Sequence, residues 1–174
     1  MFSAQQEFMY GKVLEMACES IPSTVLQSYA FIHSDSRSRN AAFSILISNL
    51  CTGFASATIA FDLDVDPVNR AKNSDFYGYI PDTGRLAVFA LMLLISAFHS
   101  FMRATAFALI ISVESDYLWI YLSGDMSLYF LLKSARQDLR YILNFDGTIG
   151  VLTTILFRVV IKSVADFTAI MHFR

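Results

Sequence analysis

Charge is scarce in this chain: Asp, Glu, Lys and Arg make up 16% of its 174 residues, whereas soluble domains carry about 25%. The net charge is −2, and no basic tract is interleaved with aromatics, which argues against a nucleic-acid partner. There are only 2 cysteines, and both Cys18 and Cys51 fall inside apolar stretches. That placement argues against a disulfide framework and reads as two small buried thiols. The chain has no phosphate-cradling glycine loop, no HExxH, no GxSxG and no CxxC. Its histidines, His33, His99 and His172, are far apart in sequence. Nothing here points to catalysis, a cofactor or a metal. A charged-then-apolar leader is also missing, because Gln5, Gln6 and Glu7 already occupy that position; insertion would then rely on the first span as an uncleaved signal.

What the chain does have is apolar length. Hydrophobic residues reach 55% and the mean hydropathy is +0.50. These values predict an all-α, polytopic transmembrane bundle of four to five helices forming one domain over residues 1–174, which could be a piece of a longer membrane protein. A soluble helical bundle is the alternative. Segment 7–33 reads as a helix kinked by Pro22, which removes a hydrogen bond to the carbonyl of Cys18. Ser34, Asp35 and Ser36 form a polar turn able to cap the next helix. Segment 41–61 carries no charge and is long enough for ~30 Å of hydrocarbon. Residues 62–84 form the longest polar connection, with Phe76, Tyr77 and Tyr79 suited to a membrane interface. Segment 86–113 is of membrane length. Segment 117–132 is expected to be interrupted at Gly124 and Asp125, and continues as a basic amphipathic stretch through Lys133, Arg136 and Arg140, so it either spans or lies in the interface. Asn144 to Gly147 form a turn before a last helix, 149–171.

Polar residues inside these segments recur at one-turn spacing. Glu15, Glu19, Ser23 and Gln27 repeat every fourth residue in the first. Ser96, His99, Ser100 and Arg103 share a face in the third, and Arg158, Lys162 and Asp166 repeat the pattern near the C-terminus. Intramembrane ionisable groups usually face a protein interior or a wet cavity. Glu15, Glu19, Gln27, His99 and Arg103 are therefore candidates for lining a polar groove, with Arg103 pairing with Glu15 or Glu19. The bland reading of the glutamates is that Glu15 pairs with Lys12 or a base on a neighbouring helix, while Glu19 sits near the membrane surface. For the C-terminal trio, an i, i+4 pair between Lys162 and Asp166 neutralises two of the three. Ser44, Ser48, Thr52 and Ser56, beside Gly53, make a small-residue face that lets membrane helices approach closely.

Asp62, Asp64 and Asp66 begin like a calcium loop, but Pro67 occupies the turn-glycine position and Asn73 replaces the bidentate Glu, so a solvated acidic loop is the better reading. If all five segments cross, Lys12, Arg70, Lys72, Arg85, Lys133, Arg136 and Arg140 collect on one side, opposite Arg37, Arg39 and Arg174. The positive-inside rule then places the N-terminus and the 62–84 loop in the cytosol.

The run CESIPSTVLQSYAFI, Cys18 to Ile32, resembles the Glu-x-x-Pro…Gln helix of the XK-related membrane proteins, some of which are phospholipid scramblases. The similarity is local, Ser23 stands where that family usually has Gln, and the chain holds about half the family's usual number of helices. FYGYIPD, LLKSARQDLRYIL and VVIKSVADFTAIMHFR are similar to a multi-pass module of large membrane proteins of microbial eukaryotes, itself without an assigned activity. The resemblance implies a membrane domain and points toward lipid translocation. From the residues, the first class of function is movement of lipid headgroups or small solutes along a polar groove made by the Glu15, His99 and Arg103 faces, with membrane lipids and other membrane subunits as partners. The other class of function is a non-catalytic assembly or anchoring domain.

Overall fold

The computed structural model describes residues 4–35, 38–72 and 77–135, together with 152, 155–156, 158–160, 162–164 and 166. The described residues are mostly helical, and none is in a strand. The chain opens with α1, Ala4–Glu15, runs through a π-helical turn, Met16–Ser20, and continues as α2, Ile21–His33. In that turn the Ile21 N–H reaches the carbonyl of Met16. Pro22 sits in the first turn of α2, where its missing N–H is tolerated. The distortion expected at Pro22 is thus taken up by the wider turn just before it.

The long helix α3, Arg39–Val65, starts at Ser38, whose hydroxyl accepts from the Asn40 N–H at 3.2 Å. Ser38 supplies that cap, while Ser36 of the expected turn lies outside the described residues. A short helix, α4, spans Pro67–Lys72; α5 spans Arg85–Val113 and α6 Ser115–Ala135. Contrary to expectation, α6 runs unbroken through Gly124 and Asp125. A Cβ at Gly124 would meet nothing within 4 Å, so this glycine costs the helix only its intrinsic propensity. Within the C-terminal segment, residues 158–160 and 162–164 are helical. Arg136, Arg140, the Asn144 to Gly147 turn and most of 149–171 lie outside the described residues, as do Arg37, Asn73, Phe76, His172 and Arg174.

The described residues of the 62–84 connection, 62–72 and 77–84, are held by more bonds than a solvated acidic loop would have. Its first residues complete α3. The Asp64 carboxylate accepts from the backbone N–H groups of Gly78, Tyr79 and Ile80 at 3.0, 3.2 and 2.8 Å. Arg70 donates to the carbonyls of Asp64 at 2.7 Å and Ile80 at 3.1 Å. Asp66 caps α4 through the Val68 N–H at 3.0 Å. The Asp64 and Asp66 carboxylates are committed to backbone donors, and no group of three or more metal-ligating side chains occurs among the described residues.

Small polar residues fill much of the α3–α5 contact, while many large apolar side chains face outward. The main seam joins α3 to α5. A Cβ on Gly53 would lie 2.7 Å from the Ala97 nitrogen, so glycine is what lets the two backbones meet. On either side, Ser56 Oγ donates to Ser96 Oγ at 3.3 Å and Ser100 Oγ to Asn49 Oδ1 at 2.8 Å. Other hydroxyls satisfy themselves on the preceding turn: Thr24 on Ser20, Ser28 on Thr24 and Thr52 on Ser48. Self-bonding of this kind lets a small polar side chain enter a tight helix contact without a partner across the seam. No buried side-chain N or O among the described residues lacks a hydrogen bond. Ser56, Ser96 and Ala57 are 0% exposed, whereas Phe98 is 66% and Met102 70% exposed on the outer side of α5. Cys18 and Cys51 are free and exposed; the expected buried thiols turn outward because the inner positions are filled by Met16 and by the Asn49, Thr52 and Gly53 face.

Of the described helices, α3 and α5 are long and apolar enough to cross a membrane. The share of their apolar windows buried inside the protein is 39% and 22%.

Candidate functional site

Midway along α5, His99 and Arg103 stand one turn apart and face the C-terminal segment. His99 Nε2 donates to the backbone carbonyl of Asp166 at 2.8 Å, and Arg103 Nε donates to the same oxygen at 3.1 Å. The Arg103 guanidinium also pairs with Asp166 Oδ2 at 3.3 Å and donates to Tyr121 Oη of α6 at 2.8 Å. It lies over the rings of Phe107 and Tyr121, at 5.5 and 5.9 Å from their centroids, close enough for cation–π attraction.

Lys162 completes the cluster. Its ammonium donates to both Asp166 carboxylate oxygens, at 2.8 and 2.7 Å, and to Asp125 Oδ2 of α6 at 2.8 Å. It also stands 5.6 Å from the Tyr129 ring centroid. The charges therefore alternate along a chain, Asp125, Lys162, Asp166, Arg103, and cancel. Next to it Arg158 is buried and donates to Tyr129 Oη at 3.3 Å. Three elements, α5, α6 and the C-terminal segment, are tied at one level by charge-assisted bonds, the stronger kind of hydrogen bond.

The other residues expected to line a groove lie elsewhere. Glu15 is exposed and pairs with Lys12 at 2.6 Å, and Glu19 is exposed in the π turn. That turn inserts an extra residue, which rotates the Glu15 end away from the Ser23 and Gln27 face by about 100°. Arg103 accordingly finds Asp166 and Tyr121 instead of Glu15 or Glu19. α2 still packs against α5, through Ile21, Ala104 and Phe107. Gln27 serves the α2–α3 contact: it donates to Ser23 Oγ at 3.2 Å and accepts from Ser48 Oγ at 3.4 Å.

On the expected packing face, Thr52 and Ser56 are buried, Ser48 is half-buried and Ser44 is exposed. A four-residue row drifts around a helix of about 3.6 residues per turn, so the row leaves the seam toward its N-terminal end. The seam instead follows Ile45, Asn49, Thr52, Gly53, Ser56 and Ala60. Ser44 borders an open cleft of about 290 Å³ with Gln27, Phe31 and Ser34 at the α2–α3 turn.

Sequence reading missed Asp125, taken there as a helix interruption, together with Tyr121 and Tyr129. These three repeat every fourth residue on α6, the same signal that marked the other polar faces. In comparison with known proteins, no family model, curated sequence or solved structure matches the chain.

Proposed function

We propose that this chain is an integral, multi-pass membrane domain whose intramembrane charges serve assembly. The observation that carries this reading is that Arg103, Asp166, Lys162 and Asp125 satisfy one another across three helical elements. A charge at the bilayer centre costs about 2.5–3.5 kcal/mol on insertion scales, and mutual pairing is the economical way to hold four of them there. The membrane setting is supported by the exposed apolar side chains of α3, α5 and α6, such as Phe54, Phe98, Met102, Trp119 and Leu131. Soluble proteins rarely expose contiguous apolar patches beyond a few hundred Å². The mostly unburied windows of α3 and α5 also differ from a soluble core helix, which buries its apolar residues.

A second reading, lipid translocation or small-solute transport, is favoured by one feature. The Arg103, Asp166 and Asp125 side chains keep 26%, 25% and 30% exposure, so the cluster is open along one side to a phosphate headgroup or water. Purified protein in liposomes separates the two. The assembly role predicts no transbilayer movement of labelled phospholipid and a loss of folded yield in Arg103→Leu. Movement abolished by Arg103→Leu in a protein that stays folded would establish the transport role instead.

A further inference from the structure

The C-terminal segment reaches the bundle with two kinds of contact. Val164 enters an apolar cluster with Met16 and Ile59, while Lys162 and Asp166 face Asp125 of α6 and Arg103 of α5. Among the described residues of the segment, Val164 alone enters a buried apolar cluster. The charged contact is extensive and ordered, because Lys162 is held by two carboxylates and Asp166 by two cations, with His99 adding a bond to the Asp166 carbonyl.

We infer that this charge chain is a docking latch: the C-terminal segment takes its place only when α5 and α6 present Arg103 and Asp125 together, and the neutrality of the set is what holds it. The segment carries Arg158, Lys162 and Asp166 close together in sequence, a density that opposes its own transfer into an apolar phase. Both carboxylates of the chain are needed to neutralise both cations. Removing Asp125 leaves Lys162 and Arg103 sharing one carboxylate, and removing Lys162 leaves Asp125 without its ammonium partner. Each loss leaves a charge without its partner where water reaches it only in part, Lys162 being 14% and Asp125 30% exposed, and a partly buried unpaired charge destabilises more than the absence of the whole pair. Removing Asp125 and Lys162 together leaves Arg103 with Asp166, again neutral. The inference rests on the membrane reading only for what the segment leaves when it enters; docking can be read separately from membrane extraction.

The test uses the full chain in membranes, with Cys18 and Cys51 replaced by alanine and one reporter cysteine at Val164, which is 3% exposed. A second reporter, Ala57→Cys, at a 0% exposed position of the α3–α5 seam, monitors the rest of the bundle. With the latch intact, both reporters resist a thiol reagent. Asp125→Asn alone and Lys162→Met alone are each expected to raise the labelling rate at position 164 at least tenfold, with position 57 still protected. The double variant should return position 164 most of the way to protection. Protection retained in both single variants would overturn the latch, as would a double variant labelled as fast as its singles, or equal exposure of positions 57 and 164, which means global loss of fold.

Discussion

The close contact of α3 and α5 at Gly53 offers a quantitative test. Replacing Gly53 by Ala places a methyl group 2.7 to 2.8 Å from the nitrogen, Cα and Cβ of Ala97. Two of those atoms are backbone, so no rotamer change relieves the contact, and α3 and α5 must separate by about 1 Å to restore normal packing. Overpacking of this kind costs about 1–3 kcal/mol. The same separation stretches the Ser56–Ser96 and Asn49–Ser100 hydrogen bonds, each worth about 0.5–1.5 kcal/mol. After subtracting the about 1 kcal/mol by which alanine is the better helix former, the expected destabilisation of Gly53→Ala is about 1–5 kcal/mol. Reversible unfolding in mixed micelles measures it, with Gly124→Ala as the control: that site is open, and the substitution should be neutral or stabilising by up to about 1 kcal/mol. A Gly53→Ala protein as stable as the control would refute the close-contact seam as the main link between α3 and α5.

The Asp64 clamp should release its loop when one carboxylate oxygen becomes an amide. Asp64→Asn is expected to cost about 1–3 kcal/mol and to speed hydrogen exchange at Gly78, Tyr79 and Ile80; unchanged exchange there would contradict the clamp. Ser48→Leu should crowd the half-buried Gln27 contact and lower stability by about 1–3 kcal/mol, whereas Leu46→Met, at a position 49% exposed, should be tolerated. Equal losses of folded protein from both changes would contradict the assignment of inner and outer faces.

The parts of this structure legible in the sequence are those governed by one helix at a time. Apolar length marked α3 and α5 almost to the residue at the N-terminus of α5, because spans of that size have few alternatives. Small residues near Gly53 marked the seam, although the four-residue row overstated it at Ser44. What depends on two helices at once was less visible. Pairing of Lys162 with Asp166 follows from i, i+4 spacing, yet their bonds to Asp125 and Arg103 come from elements 37 and 63 residues away in sequence. Glu15 and Glu19 were misplaced for a local reason: a π turn breaks the row, and its signal, a proline just after, reads equally well as a kink. The Asp64 clamp was hidden because a carboxylate taking backbone donors and one facing water look alike in sequence.

The membrane setting of the whole domain has one direct measurement. Membranes from cells expressing the chain are washed at alkaline pH with sodium carbonate, which strips peripheral and soluble proteins, and then treated with detergent. On the proposed membrane reading, the protein should stay in the pellet through the wash and come out only with detergent, its outer apolar side chains being covered by lipid or micelle. Recovery from the carbonate supernatant as a folded, detergent-free monomer would contradict the account and return the chain to the soluble bundles.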